Sequence, residues 1–145
     1  VTEVLDGFGV IASYTAVEQD IKDPLGKDFE LPGLSKEIIS ATAFYERNGF
    51  QARVSARKRG DFKGDVYGIG FDTQQVDIEG ETIVDAQIGF DFGEAGFKDL
   101  DGLSIFLQGQ NLTDEPFVST QGSALKIRDY QEYGSTYLLG FSYKL

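Results

Sequence analysis

Large apolar side chains occupy every second position at the end of this chain, "STYLLGFSYKL". Tyr137, Leu139, Phe141, Tyr143 and Leu145 alternate with Thr136, Gly140, Ser142 and Lys144, and only Leu138 breaks the pattern. Successive side chains point to opposite faces only in a strand, so the segment is a β-strand with one apolar and one mostly wet face. Two architectures accept such a strand. A soluble sandwich buries the apolar face against a second sheet, whereas a membrane barrel turns it outward onto lipid.

The same period recurs upstream and predicts six strands. The first runs from about Gly7 to Val17, with Phe8, Val10, Ala12, Tyr14 and Ala16 on one face. The second, Glu37 to Arg47, places Ile39, Ala41, Ala43 and Tyr45 together; "RNGF" then predicts a two-residue hairpin, because Asn-Gly accepts positive φ at both central positions. The third, about Phe50 to Phe62, sets Phe50, Ala52, Val54 and Ala56 against Gln51, Arg53, Ser55, Arg57 and Arg59. The fourth, about Thr82 to Phe92, and the fifth, about Leu103 to Leu112, repeat the arrangement, with Phe106 an exception. The terminal strand is the sixth. The connections alternate in length: long, short ("RNGF"), long (about Lys63 to Gly80), shorter ("GEAGFKDLDG"), long (about Thr113 to Tyr133). Up-and-down membrane barrels keep short turns on one side and long loops on the other, a regularity that a soluble sheet does not require.

Composition narrows the chemistry. The chain has no Cys and no His, which removes disulfides, thiolate metal sites and the commonest general base. A formal net charge of −11 opposes nucleic-acid binding, since phosphates call for Lys and Arg. No apolar run has the length of a membrane helix, and no signal segment opens the chain. The absence of Met, with Val1 in first position, reads as a piece of a longer, processed polypeptide. No catalytic residue and no cofactor are assigned, and an enzyme is not expected.

Two stretches carry a family likeness. "LPGLSKEIISATAFYERNGFQARVSARKRGDF" (Leu31 to Phe62) resembles late barrel strands of TonB-dependent outer-membrane receptors. "LQGQNLTDEPF" (Leu107 to Phe117) with "YGSTYLLGFSYKL" (Tyr133 to Leu145) resembles that family's final hairpin. The resemblance implies that residues 1–145 are the C-terminal part of an antiparallel, 22-stranded transmembrane β-barrel, about its last six strands, with the plug domain and earlier strands absent. It implies a ligand-gated importer in the cell outer membrane of a Gram-negative bacterium. Its cargo would be a scarce small nutrient, an oligosaccharide favoured over a ferric siderophore. Its partners would be the TonB complex, reached through the N-terminal part, the outer-membrane assembly machinery and the lipid bilayer. Tyr137, Leu139, Phe141, Tyr143 and Leu145 would face lipid and serve as the assembly signal, although Leu145 replaces the family's usual terminal aromatic. The alternative is a soluble or surface-exposed β-sandwich that binds glycans through aromatic loops.

On the barrel reading Arg53, Arg57, Arg59 and Gln108 line the lumen. The arginines either contact the plug or an anionic ligand, or pair with carboxylates of neighbouring strands such as Glu46, Asp85 and Asp91. Tyr67, Phe71, Tyr130 and Tyr133 lie in long loops, where they stack on sugar rings or belong to interfacial girdles. Asp72, Asp77, Glu79 and Glu81 punctuate a stretch without Lys or Arg; they read as a solvated acidic loop rather than a calcium site, since their spacing fits no EF-hand. "NLTD" at Asn111 matches a glycosylation sequon that carries no meaning in a bacterial outer membrane.

Overall fold

A computed structural model describes residues 6–22, 24–26, 28–67, 70, 72–123 and 125–144. Among the described residues ten strands form two antiparallel sheets: β1 (Phe8–Ala16), β2 (Glu37–Arg47), β3 (Phe50–Arg59), β4 (Phe62–Tyr67), β5 (Thr73–Ile78), β6 (Glu81–Asp91), β7 (Leu103–Gln110), β8 (Phe117–Thr120), β9 (Ile127–Gln131) and β10 (Thr136–Tyr143). The larger sheet has the order β1-β2-β3-β6-β7-β10 and the smaller β4-β5-β8-β9. The larger sheet does not close on itself, so β1 and β10 are its two edges. Its six strands correspond to the six expected from alternation: β2 has the expected ends, and the ends of the others differ by at most three residues.

The turn after β2 is as tight as its sequence demands. Asn48 and Gly49 adopt φ of 50° and 79°, and Arg47 pairs directly with Phe50. Added to Gly49, a Cβ would lie 2.2 Å from the carbonyl oxygen of Asp91, so glycine is required by space as well as by φ. The β6–β7 connection contains a single 3-10 turn, Lys98–Leu100. Beside it Phe90, Phe92 and Phe97 pack edge to face, their centroids 5.0 to 6.4 Å apart.

Two of the long connections are not loops. The segment expected to run irregularly from Lys63 to Gly80 is mostly the β4–β5 hairpin, and the one from Thr113 to Tyr133 contains β8 and β9. The third strand, expected to reach Phe62, stops at Arg59; Gly60 and Asp61 break the ladder and β4 starts anew. The smaller sheet is therefore a continuation of the long hairpins past a corner. It is joined across them by Asp77 opposite Thr120 and Ile78 opposite Ser119.

The β7–β8 corner is built by "NLTD". Asn111, at φ 51°, donates its backbone N–H to Asp85 Oδ1 at 2.9 Å. Its side chain accepts from the Glu115 N–H at 3.0 Å and donates to the carbonyls of Glu115 and Gly134. The motif fixes the bend and both strands that leave it.

The packing is unusual for a chain of this length. Among the described residues the only fully buried apolar side chain is Val76, at 1% exposure, and it belongs to the smaller sheet. Among the described residues none forms a hydrophobic core beneath the six-stranded sheet.

Candidate functional site

Directly paired residues in an antiparallel ladder share a face, so the registers assign every side chain of the large sheet. One face carries Phe8, Val10, Ala12 and Tyr14 of β1; Ile39, Ala41, Ala43 and Tyr45 of β2; and Phe50, Ala52, Val54 and Ala56 of β3. It continues through Val84, Ala86, Ile88 and Phe90 of β6, Leu103, Ile105 and Leu107 of β7, and Tyr137, Leu139, Phe141 and Tyr143 of β10. Every position in this set is apolar or tyrosine. Nothing described covers it: Val10 is 61% exposed, Val54 50%, Phe141 79% and Leu139 82%.

This apolar band runs obliquely across the sheet. The row through Ala12, the middle of the Phe8–Ala16 alternation on β1, passes through Ala41, Ala56 and Val84. Extended to β10, that row arrives at Ser135, whereas the stripe on β10 is centred on Gly140. The band thus slips by about one residue per strand; at about 3.3 Å per residue and 4.8 Å per strand, that is an angle of about 35°. Aromatics mark its two borders. Phe8, Tyr45, Phe50, Phe90 and Tyr143 lie toward the short turns, and Tyr14 and Tyr137 toward the long connections.

The opposite face is polar. One row runs Phe44–Arg53–Gln87–Gln108–Leu138 and the next Thr42–Ser55–Asp85. Arg53 and Gln108 are therefore brought together through Gln87, around an open recess of 210 Å³ that Asp85 also lines. Gln87 is absent from the sequence-derived set, although the same alternation that selects Arg53 and Gln108 points to it. Arg57 pairs with Glu81 (3.1 Å), not with the expected Glu46, Asp85 or Asp91. The correction has a geometric cause: Glu81 sits diagonally opposite Arg57, while Asp85 is taken by the Asn111 N–H and Asp91 by the Glu94 N–H. Arg59 donates to the Gly33 carbonyl at 2.9 Å and lays its guanidinium 3.7 Å from the Phe62 ring centre. Arg53 has no ion-pair partner among the described residues. At both edges an aromatic ring lies over a glycine on this face, Phe44 over Gly9 and Phe106 over Gly140. These are the two aromatics that break the polar alternation, and each shields the bare backbone of an edge strand.

Tyr67, Tyr130 and Tyr133 lie in or beside the smaller sheet, exposed, and no ring contact joins them among the described residues. Tyr130 donates its hydroxyl to Glu132 at 2.8 Å, which holds the phenol above its usual pKa. Phe71 and Leu145 lie outside the described residues. No group of three acidic side chains arranged to hold a metal occurs among the described residues.

Around the upper border the β1–β2 connection leans on the β4–β5 hairpin: the Gly33 N–H donates to Lys63 O at 2.6 Å. Lys36 pairs with Glu30 (2.5 Å), and that hydrogen bond and charge hold the Glu30 carboxyl below its usual range. Lys63 pairs with Asp77.

The fold and its faces define a class: an all-β chain whose main antiparallel sheet is apolar on one face and polar on the other, with neither face covered by a second layer among the described residues. Compared with protein-family models, curated proteins and solved structures, the chain matches none.

Proposed function

We propose that residues 1–145 are the C-terminal part of the transmembrane β-barrel of a TonB-dependent receptor in the outer membrane of a Gram-negative bacterium. The receptor is a transporter, not an enzyme, and imports a small nutrient, an oligosaccharide before a ferric siderophore. One observation carries this reading: the uncovered, oblique apolar band. Barrel strands tilt by about 35–45° from the membrane normal, so a bilayer of fixed thickness must cross a barrel wall obliquely to its ladder. The slip of about one residue per strand is what that tilt requires. Strands of 8 to 11 residues have the length that spans a bilayer at such an angle. The soluble sandwich calls instead for a second sheet over the apolar face, and the smaller sheet leaves that face exposed.

On this reading Tyr137, Leu139, Phe141 and Tyr143 face lipid and, with Leu145, form the signal read by the assembly machinery. The Arg53–Gln87–Gln108 row faces the lumen, where plug and cargo pass, and the TonB complex acts through the N-terminal part. The smaller sheet, with Tyr67, Tyr130 and Tyr133, stands on the outside as the first surface a nutrient meets. Aromatic rings there suit the faces of sugars. Expressed intact in a Gram-negative host, the protein is expected in the outer-membrane fraction, resistant to alkaline extraction, and to show heat-modifiable gel mobility. It should also support uncoupler-sensitive uptake of labelled oligosaccharide. A folded, monomeric, water-soluble product would refute the assignment.

A further inference from the structure

At the corner where β3 and β6 give way to the β4–β5 hairpin, a cleft of 640 Å³ opens between that hairpin and the β1–β2 connection. Both faces of the ladder contribute to its lining, Lys58 and Thr82 from one, Arg59 and Glu81 from the other. Two ion pairs stand side by side in it, Lys36 with Glu30 and Lys63 with Asp77. The Glu30 carboxyl feels the charges of Lys63 and Asp77 as well as that of Lys36. Among the described residues each of these four charged groups makes only that one side-chain hydrogen bond. Each ammonium therefore keeps two donors and each carboxylate a second oxygen. Direct pairing puts Lys63 and Asp77 on one face of the hairpin, and the period of two puts Tyr67 on that face as well. The exposed Tyr67 ring stands four residues along β4 from Lys63, about 13 Å.

We propose that this cleft and the adjoining face of the hairpin bind an uncharged oligosaccharide, its hydroxyls held by the two ion pairs and an outer sugar ring lying against Tyr67. The inference rests on the importer reading and gives the cargo a charge class and a place to bind. A sugar hydroxyl donates and accepts at once, and each ion pair sets an acceptor beside a donor. Five carboxylates and four cations line the cleft, so it holds no excess of positive charge for an anion. An anionic cargo meets a carboxylate wherever it meets an ammonium. Only two apolar side chains, Leu34 and Phe62, are in the lining, too few to anchor a peptide through its side chains. The cleft has the volume of a small-molecule site, and the reach from Lys63 to Tyr67 calls for several linked rings.

The test uses the intact protein in a polyoxyethylene detergent, which carries no sugar headgroup. Calorimetric titrations compare uncharged cellohexaose, maltohexaose and xylohexaose with anionic hexagalacturonate, cationic chitosan hexamer and hexaglycine. At least one uncharged hexasaccharide should bind, and the charged hexamers and the peptide should not. For the sugar that binds, Asp77→Ala and Lys63→Met should each raise Kd about tenfold, the scale of one charge-assisted hydrogen bond. Tyr67→Ala should raise it about fivefold and Tyr67→Phe should restore it, while Lys98→Gln, at the opposite end of the sheet, should change nothing. Silence from all three uncharged sugars, tighter binding of a charged hexamer or of hexaglycine, or indifference to Asp77→Ala and Tyr67→Ala would each overturn the proposal. Heat-modifiable mobility separates the two levels and verifies that each variant has folded. A wild type without it refutes the importer reading and this site with it. A wild type that has it, and binds sugar regardless of Asp77 and Tyr67, refutes the site alone.

Discussion

Replacing Leu139 by arginine distinguishes a lipid-facing sheet from a solvated one more sharply than any other single change. Leu139 lies near the middle of β10, opposite Leu107 and in the row of Ile88, and is 82% exposed. So exposed a side chain has little packing to lose, and in water the substitution should cost no more than about 0.5 kcal/mol, as surface changes do. Against lipid the same arginine sits near mid-bilayer, where a cation on a barrel's outer face costs about 2–4 kcal/mol. At about 1.4 kcal/mol per factor of ten, the folded-to-unfolded ratio falls by roughly 30- to 700-fold. Ser142→Arg is the matched control: same strand, same charge, opposite face. The assay is guanidinium unfolding of the intact protein in phosphatidylcholine vesicles, read by the heat-modifiable gel shift, since the chain has no tryptophan. Leu139→Arg should lower the midpoint well beyond Ser142→Arg. Equal midpoints would refute the assignment of faces to lipid and lumen, and a larger effect from Ser142→Arg would invert it.

Three further outcomes are expected. Gly140→Ala would place a Cβ 2.3 Å from Phe106 Cζ, so the ring must move, at a cost of about 1 kcal/mol in unfolding free energy; Phe106→Leu should abolish most of the difference between glycine and alanine. Asp85→Ala removes the acceptor of the Asn111 N–H, a charge-assisted bond of about 1.5–3 kcal/mol, and hydrogen exchange at Asn111 should accelerate while that at Val54 does not. Because Lys36 depresses the folded-state pKa of Glu30, the pair adds stability above the ordinary carboxylate range and loses it as pH falls through the lowered value. Titration of the Glu30 carboxyl carbon by NMR should show that value rising in Lys36→Gln; no movement would exclude Lys36 as the cause.

The six long strands were legible because each obeys a period of two over most of its length, and Asn48-Gly49 announced its own turn through its need for positive φ. The smaller sheet was not. Its strands are four to six residues long and lie in stretches rich in polar residues, such as "TQQVDI" and "IRDYQ", where alternation has too little apolar content to register. What forms them is tertiary: the long hairpins arrive side by side, and their backbones pair beyond the corner. The arginine faces followed from alternation, but not their partners, because a diagonal neighbour such as Glu81 depends on register rather than on sequence spacing. Lys58 is informative in the same way. It occupies the position where Ala52, Val54 and Ala56 would next place an apolar residue, so it marks where the apolar stripe of β3 ends.

The slip of the apolar band also limits how a wall of this kind can be lengthened. Each strand passes the band to the next about one residue further along, so a whole hairpin is a self-consistent unit of growth: copied and inserted, it preserves both faces and carries the slope onward. A single residue inserted into β3 has no such freedom. It turns every later side chain of that strand to the wrong face and moves Lys58 off the border it occupies. Gene duplication can therefore widen this wall two strands at a time, while point insertions are confined to the ends, where β4–β5 and β8–β9 rise clear of the band. Variation in length is pushed to the one end where the chain can differ without disturbing the apolar band.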